Sequence, residues 1–115
     1  MKEDELGKSE ILRLTEAINY SLNSVLGKTI IKKITGNVIV VSYDTGQTRN
    51  ERLSRFDNFV QIIDGRAEIV IDGKSSQLEA GDAIIIPAHS YNSINAIERF
   101  KMISTIIKSG YEDVI

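Results

Sequence analysis

The stretch from Phe59 to Pro87, FVQIIDGRAEIVIDGKSSQLEAGDAIIIP, constrains the fold more than any other part of the chain. Two Asp-Gly pairs, Asp64-Gly65 and Asp72-Gly73, interrupt short runs rich in isoleucine and valine. Ala80-Gly81-Asp82, another isoleucine run and the single proline follow. Asp-Gly between apolar runs is a strong hairpin signal, because glycine accepts a positive φ that a Cβ would resist. Turn signals at this density predict short antiparallel strands that close into a sandwich or barrel.

The flanking sequence extends the pattern. Lys28–Ile34 and Val38–Asp44 are rich in β-branched residues and separated by Thr35-Gly36-Asn37, which predicts a hairpin. Further strands are expected at 59–64, 67–71, near 76–78, and at 83–86, 90–96 and 100–107, with a last tight turn at Glu98-Arg99. Residues 49–58 are polar apart from Leu53 and Phe56, and read as a long loop or a strand with one wet face. Residues 1–27 form an arm ahead of a single barrel domain, 28–115. The arm is either a short helix capped by Ser9 and running to Tyr20, since Ile11, Leu14 and Ile18 recur at helical spacing, or an extended segment with one helical turn at Thr15–Asn19.

Bulk properties exclude several classes. A chain of 115 residues buries roughly two-thirds of its unfolded surface without disulfide staples. Hydrophobic content of 42% and charged content of 26% are those of an ordinary globular domain. A net charge of −2 with scattered Lys and Arg offers no basic stripe for a nucleic-acid backbone. No apolar run approaches the ~20 residues of a membrane span, and the acidic start MKEDELGKSE is no secretory signal. The absence of cysteine removes disulfides and thiolate chemistry and suggests a cytoplasmic protein. One histidine, His89, cannot by itself build a histidine metal cage.

Against this background, residues 28 to 107 resemble the cupin superfamily of double-stranded β-helix (jelly-roll) barrels, recognised by two spaced motifs. The first runs Gly, five residues, His-x-His, three or four residues, Glu, six residues, Gly. Gly46 and Gly65 match its ends, placing Arg52 and Ser54 at the histidines and Asn58 at the glutamate. The second runs Gly, five residues, Pro-x-Gly, two residues, His, three residues, Asn. Gly81 and Pro87 match, while His89 stands at the glycine, Asn92 at the histidine and Ala96 at the asparagine. Val60–Gly65 (VQIIDG) and Ala96–Met102 (AIERFKM) further resemble a subgroup of small, single-domain bacterial cupins. The resemblance implies an all-β barrel in which the scaffold positions persist and all four metal-ligand positions are substituted. Neither a metal nor any other cofactor is therefore expected.

In that register the period of two turns Asn50, Arg52, Ser54, Asn58, Val60, Ile62, Ala67, Ile69 and Ile71 inward, the polar ones at the barrel mouth. Phe59, Gln61 and Ile63 face out. Candidate ligand-binding residues are Arg52, Ser54, Asn58, His89, Asn92 and Met102. Arg52 suits the anionic group of a small carboxylate or sugar derivative; its bland alternative is a solvated side chain. His89 is a candidate base only with an orienting partner, and Met102 is equally a packing residue. The expected function is small-molecule binding without turnover. The alternatives are a metal-independent isomerase or lyase using His89 and Arg52, and an oxygenase-like metal enzyme with atypical ligands. The outward apolar residues, with the arm, predict a homodimer, the arm covering its own sheet or crossing to a partner's.

Overall fold

The computed structural model describes residues 5–108 and 110, and nearly all of its regular structure is β. Seven strands follow one another: β1 (Val25–Lys33), β2 (Gly36–Tyr43), β3 (Thr48–Leu53), β4 (Asp57–Ile71), β5 (Lys74–Glu79), β6 (Ala83–Ile86) and β7 (Tyr91–Ile107). Every pairing among them is antiparallel.

Two long strands organise the barrel. β4 pairs with β7 along nearly its whole length, but the register shifts between Ile62 and Asp64 and again between Gly65 and Ala67. At those bulges both strands bend together, so each contributes to two walls. One wall runs β1-β2-β7-β4-β6 through the halves at 57–64 and 100–107. The other runs β3-β7-β4-β5 through the halves at 91–96 and 66–71. The walls join at the bend and diverge from it, which makes a cup: a double-stranded β-helix.

Two expected turns are therefore bends. Asp64-Gly65 and Glu98-Arg99 lie opposite each other inside continuous strands rather than at hairpin tips. Gly65 sits at φ +76°, and a Cβ there would lie 1.9 Å from the Arg99 carbonyl oxygen. Left-handed backbone and close approach of a neighbouring strand both require glycine, as in a bulge. Asp72-Gly73 does form the expected hairpin, with φ 47° and 83° at its two loop residues and Ile71 opposite Lys74. The first hairpin turns at Ile34-Thr35, one residue earlier than expected, and β1 starts at Val25 rather than Lys28.

Alternation sorts the side chains. Val60, Ile62, Ala67, Ile69, Leu78, Ile86, Ile94, Phe100 and Met102 form the interior, with Tyr43 stacked on Phe100 at 4.6 Å near the bend. The arm lies on the outer face of its own barrel. It is extended apart from a single 3₁₀ turn at Leu14–Glu16, and Ser9 has φ 64° instead of capping a helix. Of its apolar residues, Ile18 is buried, against Val40 and Ile103, with Ile63 half-covered beside them, while Ile11, Leu12 and Leu14 remain exposed. The Tyr20 hydroxyl donates to Asp64 Oδ2 at 2.5 Å, and Arg99 and Lys101 sit over its ring at 4.6 and 4.8 Å. Burial and the bond to Asp64 hold the Tyr20 hydroxyl well above the usual phenol range.

Candidate functional site

The cup grades from an apolar floor at the bend to a polar mouth. Asn92 is buried on β7, and its amide is fully engaged. Its Nδ2 donates to Ser54 Oγ at 2.7 Å and to the Ser90 carbonyl at 3.3 Å, and its Oδ1 accepts from Arg49. Arg49 also donates to the Asn92 carbonyl at 3.2 Å and lies near the buried Tyr43 hydroxyl, whose ionised form it favours. A continuous polar row, Tyr43–Arg49–Asn92–Ser54, therefore climbs the inner wall. Asn58, on the facing wall, accepts from Ser104 Oγ at 2.8 Å.

Arg49 is the inward guanidinium, a position that strict alternation assigns to Arg52. The reason is a bulge: two residues of β3 lie between Arg49 and Arg52, while only one of β7 lies between their partners Ile94 and Asn92. The extra residue resets the phase, so both arginines lie opposite inward-facing residues and Asn50 is exposed. Arg49 is half-buried, whereas Arg52 is exposed at the rim. Burial, then the like charge of Arg52, draws the Arg49 pKa down. Burial pushes the Tyr43 hydroxyl up, against the opposing pull of both arginines. Among the described residues no carboxylate pairs with either guanidinium, the ion pairs being Lys8–Glu5 and Arg66–Glu98.

Beyond the row, Arg52, Ser54 and Asn58 line a cavity of about 310 Å³. Arg55, Phe56 and Lys108 close one side, with Arg55 and Lys108 near the Phe56 ring at 5.8 and 5.9 Å. Asn37, at the start of β2, completes the lining, and its Oδ1 is buried without a hydrogen-bond partner among the described residues.

The remaining candidates lie elsewhere. His89 has φ 68°, which explains why the motif carries glycine there; its backbone N–H donates to the Ser54 carbonyl at 2.6 Å and ties the rim loop to the end of β3. Its imidazole is exposed and has no orienting partner among the described residues. Met102 packs in the interior between Val41 and Ile62. The donors at the motif's ligand positions do not fit a divalent ion: Asn92 Oδ1 and Ser54 Oγ are already engaged, and two guanidiniums stand where a cation would bind. Among the described residues no three His, Cys, Asp or Glu side chains converge. No helix of the described residues is long and apolar enough to cross a membrane.

A bent antiparallel sheet folded around a polar cup defines a cupin-type protein, here with arginine and asparagine in place of metal ligands. The family model for the ethanolamine utilisation protein EutQ matches residues 44–109, more than half of the chain, and the chain belongs to that family. Among solved structures, a conserved protein of unknown function from Streptococcus pyogenes is 28% identical, over 90% of this chain and 91% of that one, with a TM-score of 0.86. A cupin superfamily protein from Desulfitobacterium hafniense is 25% identical, over 90% and 94%, with a TM-score of 0.83. KdgF from a Halomonas species shares the fold at 17% identity, over 92% and 98%, with a TM-score of 0.74. No curated protein matches the sequence.

Proposed function

We propose that this cupin binds a small organic anion in its cup and releases it unchanged. The observation that carries the reading is Arg49: a half-buried guanidinium facing Arg52, with no carboxylate of the described residues paired with either. An incoming carboxylate or phosphate relieves that repulsion and takes up the planar donors of Arg52, since those of Arg49 are largely held by Asn50 and Asn92. Conversion of the ligand would need a positioned base. Tyr43 is driven toward its neutral form by burial, and the His89 imidazole is exposed, with no orienting partner among the described residues. The family's description refers to ethanolamine utilisation. Protonated ethanolamine is a cation and is repelled by the same arginines, so the compound in the cup is an anion and not the amine.

Thermal melts in inorganic phosphate and in small carboxylates test this. At a hundredfold excess over its dissociation constant a ligand adds about 2.7 kcal/mol, about 10 °C for a domain of this size. Arg49→Met and Arg52→Met should each remove most of that shift, as should raised salt. Arg52 is exposed, so its variant carries little risk to the fold. Equal shifts in the wild type and both variants, or no shift with any anion, would overturn the reading.

A further inference from the structure

The hydrogen-bonding sense of the 310 Å³ cavity sharpens the ligand class, a step that rests on the anion-binding reading above. Asn58 lines the cavity and is only 7% exposed. Its Oδ1 accepts from Ser104 Oγ at 2.8 Å, which leaves the Nδ2 as the end of the amide still to be satisfied. That nitrogen has no partner among the described residues, yet it is not sealed from solvent as Asn37 Oδ1 is, so a molecule in the cavity can reach it. Ser54, in the same lining, is a second donor. Its Oγ accepts from Asn92 Nδ2 at 2.7 Å, and its own proton has no acceptor among the described residues. Of the neighbouring side-chain acceptors, Asn58 Oδ1 is engaged by Ser104 and Asn37 Oδ1 is buried out of reach.

A carboxylate held by Arg52 alone leaves both neutral donors unmatched. A carbonyl oxygen on the same molecule satisfies them, since it brings two lone pairs and no proton. A hydroxyl there can accept too, but its own proton then lies among donors. Leu53, Phe56 and Ile106 make the apolar part of the lining, and about 310 Å³ is at the lower end of small-molecule sites, roughly 300–1,000 Å³. We infer that the ligand is a short-chain α-keto acid. Its carboxylate pairs with Arg52, its keto oxygen accepts from Asn58 Nδ2 and Ser54 Oγ, and its alkyl chain packs on Leu53, Phe56 and Ile106.

Calorimetric titration at neutral pH with butyrate, α-hydroxybutyrate and α-ketobutyrate isolates the keto oxygen, because all three are monoanions of equal chain length. The keto acid should bind about tenfold more tightly than either of the others, since a site with donors in place rejects an analogue that leaves them unpaired. Asn58→Leu, close to the native side chain in size, or Asn58→Ala should the first not fold, should bring α-ketobutyrate down to the affinity of butyrate. Equal binding of butyrate and α-ketobutyrate by the wild type would overturn this inference while leaving anion binding intact. So would α-hydroxybutyrate matching the keto acid, or a folded Asn58 variant that keeps the preference. Failure of all three probes, and of inorganic phosphate with them, would instead overturn the anion-binding reading itself.

Discussion

Replacing Gly65 by alanine should be among the most damaging single-methyl additions this chain can receive. Two costs act together. A non-glycine residue in the left-handed region costs about 1–2 kcal/mol, and Gly65 is held at φ +76°. The added Cβ would also lie 1.9 Å from the Arg99 carbonyl oxygen and 2.7 Å from Phe100 Cα, both backbone atoms of a paired strand that no rotamer change can move. Overpacking of that kind adds about 1–3 kcal/mol, for a loss of about 2–5 kcal/mol. Gly73→Ala is the internal control: its φ is +83°, yet a Cβ there meets nothing within 4 Å, so it carries the conformational cost alone. Urea unfolding measures both. With a slope of about 2 kcal/mol per molar, the Gly65 midpoint should fall by about 1–2.5 M and the Gly73 midpoint by about 0.5–1 M. Equal midpoints for the two variants would refute the claim that β7 closes against the bend.

Other outcomes can be checked independently. The bonds from Ser75 Oγ and Asn95 Nδ2 hold the Glu68 carboxyl below the usual range, so its contribution to stability is present above the unfolded pKa and is lost as pH falls through the folded one. Carbonyl-carbon NMR titration should show that depression, and Ser75→Ala with Asn95→Ala should abolish it. His89→Gly should raise stability by up to about 1 kcal/mol in chemical denaturation, since glycine relieves a positive φ at the cost of chain entropy; a loss of stability would show that the imidazole contributes to the fold. Phe59, expected on the outer face, lies opposite Ile85 on the neighbouring strand, and the two are 41% and 60% exposed, an apolar pair that a homodimer would cover. Light scattering at micromolar concentration should report a dimer that Phe59→Glu dissociates, and a wild-type monomer would refute it. Excess chelator should leave the melting temperature unchanged, and a drop of several degrees would reveal a metal site built from other donors.

The strands were legible because β-branched runs and Asp72-Gly73 state their structure locally. The bend was not. A glycine at positive φ serves a hairpin and a bulge equally well, so Asp64-Gly65 and Glu98-Arg99 look like turns until the two strands are seen bending together. The same ambiguity hid Arg49. The motif spacing brought Arg52, Ser54 and Asn58 to one cavity, but a single extra residue in β3 reversed the phase two positions upstream. Asn37 and Lys108 carry no local signal at all; only the pairing of β2 with the end of β7 brings them to the mouth. In the arm, helical spacing of Ile11, Leu14 and Ile18 suggested one buried face, whereas an extended path with one 3₁₀ turn buries Ile18 alone of the three.

The strand that stitches both walls together is also the last of the described strands to be made. β7 borders β2, β3 and β4, and it ends at Ile107, 36 residues beyond the end of β4 at Ile71. At translation rates of about 5–20 residues per second, β4 waits about 2–7 s with its β7-facing edge unpaired, and the Val- and Ile-rich β2 waits longer. Until Ile107 clears the ribosome, the nascent chain presents an open apolar edge to the cell, and synthesis rather than the finished barrel is where this protein is most exposed to aggregation.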